Sequence, residues 1–260
     1  MKRNTYYLVS LGCAKNSVDS DSIATLLNGD GYSAVEKPGQ AGVLIVNTCG
    51  FIEQARQESL SVLGDLARAK KPGQLLIAAG CFSQLYRERL VAMVPGIDGL
   101  IGTRRWMDIA ELVRELRAHP GMPRYHLPDT STIGTDERGV PRVSLQGASA
   151  YLKIADGCRR PCAFCSIPLI KGTQVSRPLE TILDEAMLLQ SHGIKELILI
   201  AQDTTDYGSD LGMKDGLVRL LEKLLPRISE IPWVRILYAY PGYVTDGLID
   251  LMSSAHRLLP

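Results

Sequence analysis

The sequence predicts an α/β protein built on parallel sheets and divided into two domains. Short apolar runs alternate with longer amphipathic stretches from residue 5 to about 118, and the alternation resumes at residue 150. Between these regions, residues 119–147 are rich in Pro, Gly, Thr and Asp and lack periodicity, which indicates a linker. We therefore expect one domain over residues 1–118, a linker over 119–147 and a second domain over 148–260.

The first half alternates four apolar runs with four helix-like stretches. Ile23, Leu26 and Leu27 share one helical face, which is typical of a helix packed on a sheet. Helices between successive strands act as crossover connections, so the strands are expected to be parallel. The predicted strands are Tyr6–Ser10, Val43–Val46, Leu75–Ala79 and Leu100–Ile101. The predicted helices are Val18–Leu27, Ile52–Ala69, Ser83–Val94 and Met107–Ala118.

The second half repeats the alternation as three strand–helix units. Tyr238 and Tyr240 lie at the end of the third strand, and we expect core packing for at least one of them. The predicted strands are Ala150–Ile154, Glu196–Ala201 and Val234–Tyr238. The predicted helices are Leu179–His192, Gly216–Leu225 and Asp246–Met252.

The composition describes a globular chain with no bulk signal for nucleic acid or membrane. The 260 residues are 45% hydrophobic and 22% charged, with 29 basic and 28 acidic residues. The basic start and the apolar run Tyr6–Gly12 are too short and tyrosine-rich for a leader peptide, and no other run could span a membrane. We therefore expect a cytoplasmic location, where six cysteines point to metal binding, catalysis or burial rather than disulfides.

Three cysteines of the first half each follow a predicted strand and precede a predicted helix. The carboxyl ends of parallel strands meet at one edge of a sheet, so thiols far apart in sequence are expected to converge there. One such cysteine is more often a small buried side chain, but three in the same context favour a metal-ligating site. Zinc remains an alternative, although separated thiolates do not match the paired knuckles of structural zinc sites. The residues are Cys13, Cys49 and Cys81, with Gly12, Gly50 and Gly80 beside them.

The other three cysteines, Cys158, Cys162 and Cys165, form a compact CxxxCxxC motif after the strand sequence YLKIADG. One CxxC pair would indicate zinc or redox chemistry equally. CxxxCxxC with Phe164 before the last cysteine resembles the signature of radical S-adenosylmethionine (SAM) enzymes. That resemblance implies three thiolates on a [4Fe-4S] cluster whose fourth iron is open to SAM, unlike electron-transfer clusters with four cysteine ligands.

Both halves together resemble the radical SAM methylthiotransferases over essentially the whole chain. The resemblance is closest to the RimO-type branch, which modifies an aspartate of small-subunit ribosomal protein S twelve. The tRNA-modifying branch, which is the alternative, usually reads YGCQMN at the first cysteine, whereas this chain reads LGCAKN. The matching stretches are SLGCAKNSVDSD from Ser10, NTCGFIEQARQES from Asn47, AAGCFSQLY from Ala78 and YLKIADGCRRPCAFCSIPLIKGTQVSRP from Tyr151.

The resemblance implies a fold and a set of cofactors. It implies an N-terminal parallel-sheet methylthiotransferase domain, followed by the first half of a radical SAM (β/α) partial barrel. One [4Fe-4S] cluster would carry the transferred sulfur, and the other would bind SAM, which serves as both radical source and methyl donor. A one-electron reductant and a sulfur donor would be partners, with no membrane involved. The ligands would be Cys13, Cys49 and Cys81 for the first cluster and Cys158, Cys162 and Cys165 for the second.

Polar residues at the strand ends of the second half are candidate contacts to SAM. Barrel enzymes place their chemistry at this edge, and the candidates are Arg177, Gln202 and Asp203. The alternative roles are a solvated charge for Arg177 and a turn or helix cap for Asp203. No catalytic residue is expected beyond the cluster ligands.

Two other classes of protein fit part of the pattern. A non-catalytic iron-sulfur electron carrier would need four protein ligands per cluster, and six cysteines supply only three. A zinc-stabilised binding module is the other alternative. The family also usually contains six strand–helix units and a TRAM domain, so we expect the chain to be a fragment with strand Val234–Tyr238 at an open edge.

Overall fold

A computed structural model describes residues 4–129 and 138–259. These residues form two compact units. The first unit contains residues 4–129 and 138–140 together with Leu169–Lys171. The second contains Pro141–Pro168 and residues 172–259. No helix in the described ranges is long and apolar enough to cross a membrane.

The first unit is a six-stranded parallel sheet with helices on its two faces. The strand order is β2-β1-β3-β4-β5-β6, with every neighbouring pair parallel. The strands are β1 Thr5–Ser10, β2 Ser33–Ala34, β3 Val43–Thr48, β4 Leu75–Gly80, β5 Gly99–Gly102 and β6 Arg124–His126. The helices are α1 Ala14–Gly29, α2 Glu53–Ala69, α3 Cys81–Tyr86, α4 Glu88–Met93 and α5 Ile109–Ala118.

Alternate residues of the central strands supply two apolar cores. Ile45 of β3 packs in a cluster with Ile23 and Leu112, from helices α1 and α5. Its neighbour Leu44 packs in a second cluster with Leu63 of helix α2. Side chains alternate across a strand, so a strand covered on both faces is apolar throughout, as in the run VLIV of β3. The predicted α/β class with a parallel sheet is confirmed.

Three details of the first unit differ from the sequence prediction. The helix expected over Ser83–Val94 is broken into α3 and α4 at Arg87, whose φ of 51° lies in the left-handed region. Helix α1 begins four residues earlier than expected, directly after Cys13. Strand β6 lies inside the expected linker and pairs with β5. The sequence did not predict it, because main-chain pairing does not require a strong apolar pattern.

The second unit contains a five-stranded sheet in the order β13-β12-β11-β8-β7. Strand β7 is antiparallel to β8, and the other neighbours are parallel. The strands are β7 Val143–Gln146, β8 Ser149–Lys153, β11 Glu196–Ile200, β12 Trp233–Ile236 and β13 Leu258–Leu259, with β9 Ala155–Asp156 and β10 Val175–Ser176 forming a separate pair. The helices are α7 Leu179–Ser191, α8 Gly216–Arg227 and α9 Asp246–Ser254, and helix α6 Ile167–Lys171 has its first two residues in this unit and its last three in the first.

Two expectations for the end of this unit are wrong. Strand β12 is not at an open edge, because Val234 pairs with Leu197 of β11 on one side and Leu258 of β13 on the other. A two-residue strand is too short to be recognised from its sequence pattern. Core packing for one of the two tyrosines is also wrong: Tyr238 is 41% exposed and Tyr240 40% exposed, because β12 already ends at Ile236.

A buried ion pair fixes helix α7 against the sheet of the second unit. Arg177 is 2% exposed, and its guanidinium donates to both carboxylate oxygens of Glu185, at 2.8 and 2.6 Å. It also donates to the carbonyl oxygen of Lys153 at 2.9 Å. A bidentate pair of this kind satisfies both charged groups, and removing one partner would leave the other charge buried without it.

We predict that Arg177→Ala lowers the free energy of unfolding by about 3–5 kcal/mol, because Glu185 keeps its buried charge without the guanidinium. Urea unfolding of the full chain measures this. The control is Arg219→Ala on the exposed side of helix α8, which is expected to change stability by less than about 0.5 kcal/mol. Equal effects of the two substitutions would show that the buried pair contributes nothing.

Candidate functional site

The first three cysteines follow three neighbouring strands of the first unit. Strand β3 lies between β1 and β4, and in its register Asn47 pairs with Ser10 and with Ala79. Cys13, Cys49 and Cys81 come just after these strands, so they lie at the same edge of the sheet. The structure therefore brings together three thiols that are 68 residues apart from first to last.

Two glycines allow the cysteine loops to approach one another. Gly12 has a φ of +97°, and a Cβ there would lie 2.6 Å from Cβ and 3.0 Å from Sγ of Cys49. Gly80 has a φ of +93°, and a Cβ there would lie 2.3 Å from Oδ1 of Asn47. Any other residue would meet both backbone strain and a collision at these positions.

Buried polar side chains hold the loops, and the sequence interpretation had singled out none of them. The Ser59 hydroxyl accepts from the Cys49 amide at 3.2 Å and donates to the Cys49 carbonyl at 3.0 Å. Thr48 donates through its hydroxyl to the carbonyl of Ala79 at 2.5 Å. The Asn16 amide donates to main-chain carbonyls on two loops. The available signals were the one-turn spacing from Cys13 to Asn16 and the position of Thr48 directly before Cys49.

Burial disfavours the thiolate form of two of these cysteines. It raises the pKa of Cys81 to about 12, and it also raises the pKa of Cys49. Both side chains are 8% exposed. A metal that binds these sulfurs must therefore displace protons, as thiolate ligation generally requires.

The donor set of the first site suits an iron-sulfur cluster. In the described ranges, no group of three or more His, Cys, Asp or Glu side chains is arranged to hold a metal ion. In a cluster each thiolate binds a different iron, so the sulfurs stand further apart than around one zinc. Three sulfur donors whose loops pack through Gly12 and Gly80 fit such a group.

The second group of cysteines lies on the loop after β9 in the second unit. The Cys158 amide donates to the Gly172 carbonyl at 3.1 Å, and the Cys165 amide donates to the Cys162 carbonyl at 3.0 Å. The Cys158 sulfur accepts from the Arg160 amide at 3.5 Å. Burial raises the pKa of Cys158. The loop has three sulfur donors, which likewise fit a cluster with one open iron.

Two arginines inside the motif attach this loop to the segment after β11. Arg160 is 8% exposed, donates to Asp203 at 2.6 Å, and lies 3.3 Å from the centre of the Tyr243 ring. Arg159 donates to both carboxylate oxygens of Asp206, at 2.6 and 2.7 Å. These contacts restrain the loop that carries the three cysteines.

The three candidate SAM contacts differ in their structural surroundings. Arg177 is buried in the pair with Glu185, and Asp203 pairs with Arg160 and accepts from the Thr205 amide at 3.0 Å. Gln202 is half-buried and donates to Asp156 at 3.5 Å. The contacts of these residues to SAM remain predictions.

Two families match the chain, one in each half. Residues 5–102 match the family described as uncharacterized protein family UPF0004. Residues 152–259 match the radical SAM superfamily. The first range contains Cys13, Cys49 and Cys81, and the second contains Cys158, Cys162 and Cys165.

Curated relatives are similar to both halves. The chain is 45% identical to the ribosomal protein uS12 methylthiotransferase RimO of Chloroflexus aurantiacus, over 96% of the chain and 57% of the relative. It is 42% identical to the protein of that name from Roseiflexus, over 95% and 56%. For Symbiobacterium thermophilum the identity is 44%, over 96% and 51%. The chain thus spans about half the length of the curated relatives that it matches.

Solved structures share the fold at low sequence identity. The radical SAM methyltransferase TsrM of Kitasatospora setae, with cobalamin and a [4Fe-4S] cluster bound, matches with a TM-score of 0.65 and 17% identity over 98% of this chain and 59% of that chain. The cobalamin-dependent radical SAM enzyme OxsB, in its apo form, matches with a TM-score of 0.60 and 12% identity over 99% and 43%. These likenesses support the predicted fold class.

We predict that Cys81 of the metal-free chain is alkylated slowly by iodoacetamide. Because its pKa of about 12 lies far above the assay range, its rate should rise about tenfold per pH unit between pH 7 and 9. Peptide-resolved mass spectrometry measures the rate, with the half-buried Cys162 as the internal reference. A Cys81 rate that matches Cys162, or that levels off below pH 9, would contradict the effect of burial.

The cysteine pattern, the order of the two matched domains and the relatives agree with one another. LGCAKN, NTC and AAGC lie in the UPF0004 range, and CRRPCAFC lies in the radical SAM range. The relatives match both ranges in one continuous stretch of 95% or more of the chain. The chain therefore combines a UPF0004 range with a radical SAM range, and over both it is similar to proteins named as ribosomal protein uS12 methylthiotransferases.

Proposed function

We propose that this chain is the cluster-binding part of a transferase that adds a methylthio group to the β-carbon of an aspartate in ribosomal protein uS12. The observation that carries the proposal is the presence of two separate cysteine triads, one on the loops that follow three parallel strands and the other on the single loop after β9. The identity of 42–45% to relatives named for this activity supports the substrate. A ribosomal substrate fits the cytoplasmic location expected from the sequence.

The two triads have different tasks in this proposal. A [4Fe-4S] cluster with one open iron, when bound, supplies an electron that cleaves SAM to methionine and a 5′-deoxyadenosyl radical. Cys158, Cys162 and Cys165 would hold the cluster that binds SAM, while Cys13, Cys49 and Cys81 would hold the one that carries sulfur. SAM also donates the methyl group, and a one-electron reductant and a sulfur donor complete the reaction.

The chain's own residues position these ligands. Arg160 restrains the second loop through Asp203 and Tyr243, and the Arg160 amide donates to the Cys158 sulfur. Ser59 holds the Cys49 backbone from both sides. Hydrogen bonds and packing of this kind fix the orientation of metal ligands and adjust the potential of a cluster.

The alternative substrate is a tRNA adenosine. The sequence LGCAKN at Cys13 and the stretch FIEQA after Cys49, which contains no basic residue, favour the protein substrate. An electron carrier is disfavoured because each triad supplies three thiolates rather than four. The two enzymatic alternatives share all six cysteine ligands, so only identification of the modified product separates them.

We predict that Cys158→Ala abolishes SAM cleavage, whereas Cys49→Ala retains it and loses sulfur transfer. The reason is that the two thiolates belong to different clusters. The assay measures 5′-deoxyadenosine from the reconstituted full chain with dithionite as reductant, alongside the iron content of each variant. Equal loss of 5′-deoxyadenosine in both variants would contradict the division of tasks.

The substrate prediction is tested in cells that lack the full-length gene. Ribosomal protein uS12 from those cells is expected to lack the methylthio group on its modified aspartate, and mass spectrometry of the intact protein measures the mass difference. Complementation with the full-length gene is the control. Normal methylthio-aspartate, together with a methylthio group missing from tRNA, would assign the enzyme to the tRNA branch.

A further inference from the structure

Asn16 is a buried amide that contacts loops from all three strand ends of the first triad. It is 1% exposed and lies in the first turn of helix α1, three residues after Cys13. Its Nδ2 donates to the carbonyl of Leu11 at 2.8 Å and to the carbonyl of Thr48 at 3.1 Å. Leu11 precedes the Gly12-Cys13 turn, and Thr48 directly precedes Cys49.

The two donated bonds also fix which way the amide points. Both N–H groups are used by carbonyls, so Oδ1 faces the third loop, where it lies 3.8 Å from the Cys81 sulfur and accepts its S–H. A flipped amide would lose both donated bonds and place the carbonyl oxygen of the side chain against other carbonyls. The Asn16 side chain therefore hydrogen-bonds to the backbone next to Cys13, to the backbone next to Cys49 and to the sulfur of Cys81.

The position of Asn16 is itself fixed by main-chain and side-chain contacts. The main-chain N–H of Asn16 donates to the main-chain carbonyl of Cys13 at 2.8 Å. The main-chain carbonyl of Asn16 accepts from Nδ2 of Asn47 at 3.0 Å. The same Nδ2 also donates to the Ser20 hydroxyl at 2.9 Å. Because the backbone of Asn16 is held in place, its side chain can fix the positions of the groups to which it hydrogen-bonds.

These contacts differ from an ordinary helix cap. A cap satisfies the free amides of its own helix, whereas the Asn16 side chain donates outward, to residues before α1 and on another strand. The N-cap residue of α1 is Cys13, which makes no side-chain cap bond. The side-chain amide of Asn16 therefore connects neighbouring loops and does not cap its own helix.

We propose that Asn16 is a positioning residue that sets the spacing of the Cys13, Cys49 and Cys81 sulfurs before a metal binds. The proposal rests on the assignment of these three thiols to one cluster. It assigns to the amide no contact with substrate and no direct ligand bond. Without the Asn16 amide, the buried carbonyls of Leu11 and Thr48 lose a hydrogen-bond donor, and the cysteine loops are expected to separate.

The test measures thiol spacing directly, in the metal-free full chain. Replacing Cys158, Cys162 and Cys165 by Ala leaves only the three thiols of the first triad. Dibromobimane becomes fluorescent when it bridges two thiols a few ångströms apart, so its reaction reports their spacing without any cofactor. The variants are Asn16→Asp, which keeps the shape and removes both donors, and Asn16→Ala, which avoids a buried charge.

The matched control is Asn28→Asp, an exposed position at the other end of the same helix. Asn28 accepts from the Tyr6 hydroxyl through Oδ1, and the substitution keeps that acceptor. Far-UV circular dichroism checks the fold of every variant. The iron retained by the first triad after anaerobic reconstitution and gel filtration is the second readout.

We expect both Asn16 variants to keep the circular dichroism of the parent, and to lose bridging and iron retention by about tenfold or more, while Asn28→Asp matches the parent. Parent-like bridging in both Asn16 variants would overturn the proposal. Loss of circular dichroism in both would also overturn it, because Asn16 would then serve the fold as a whole. A parent chain that bridges its thiols but retains no iron would instead overturn the proposed function and leave the positioning role intact.

Discussion

The close approach of three strand ends is the constraint on which the rest of the first unit depends. Gly12 lies against Cys49, and Gly80 lies against Asn47, at distances that no Cβ could occupy. The buried amide of Asn16 then joins the loops that these glycines allow to meet. A parallel sheet supplies the shared edge, and packing of both its faces fixes the strand register.

The second unit brings its three cysteines together in a different way. Its three cysteines come from one loop, so spacing along the chain replaces convergence of strands. That loop is attached through charge rather than through glycine packing, since Arg159 and Arg160 pair with Asp206 and Asp203 in the segment after β11. Ionic contacts thus restrain one loop, and amide contacts restrain the other.

The sequence was sufficient for the α/β class, the main strands and the six candidate ligands, because apolar periodicity and motif spacing are local signals. It was insufficient for the short strands defined by main-chain pairing, which are β2, β6, β7, β9, β10 and β13, and both β6 and β7 lie inside the expected linker. It also missed Asn16 and Ser59, because a buried polar residue resembles an exposed one until its partners are known. The break at Arg87 and the exposure of Tyr240 depend on tertiary contacts that no local pattern encodes.

In the proposed function the two triads bind separate clusters. Iron and sulfide content after anaerobic reconstitution tests it most directly, in the full chain and in two variants that each have one triad replaced by Ala. We expect about eight irons per full chain and about four in each variant, because each cluster contains four irons. Loss of all iron when either triad is removed, or zinc in place of iron in the purified full chain, would contradict it.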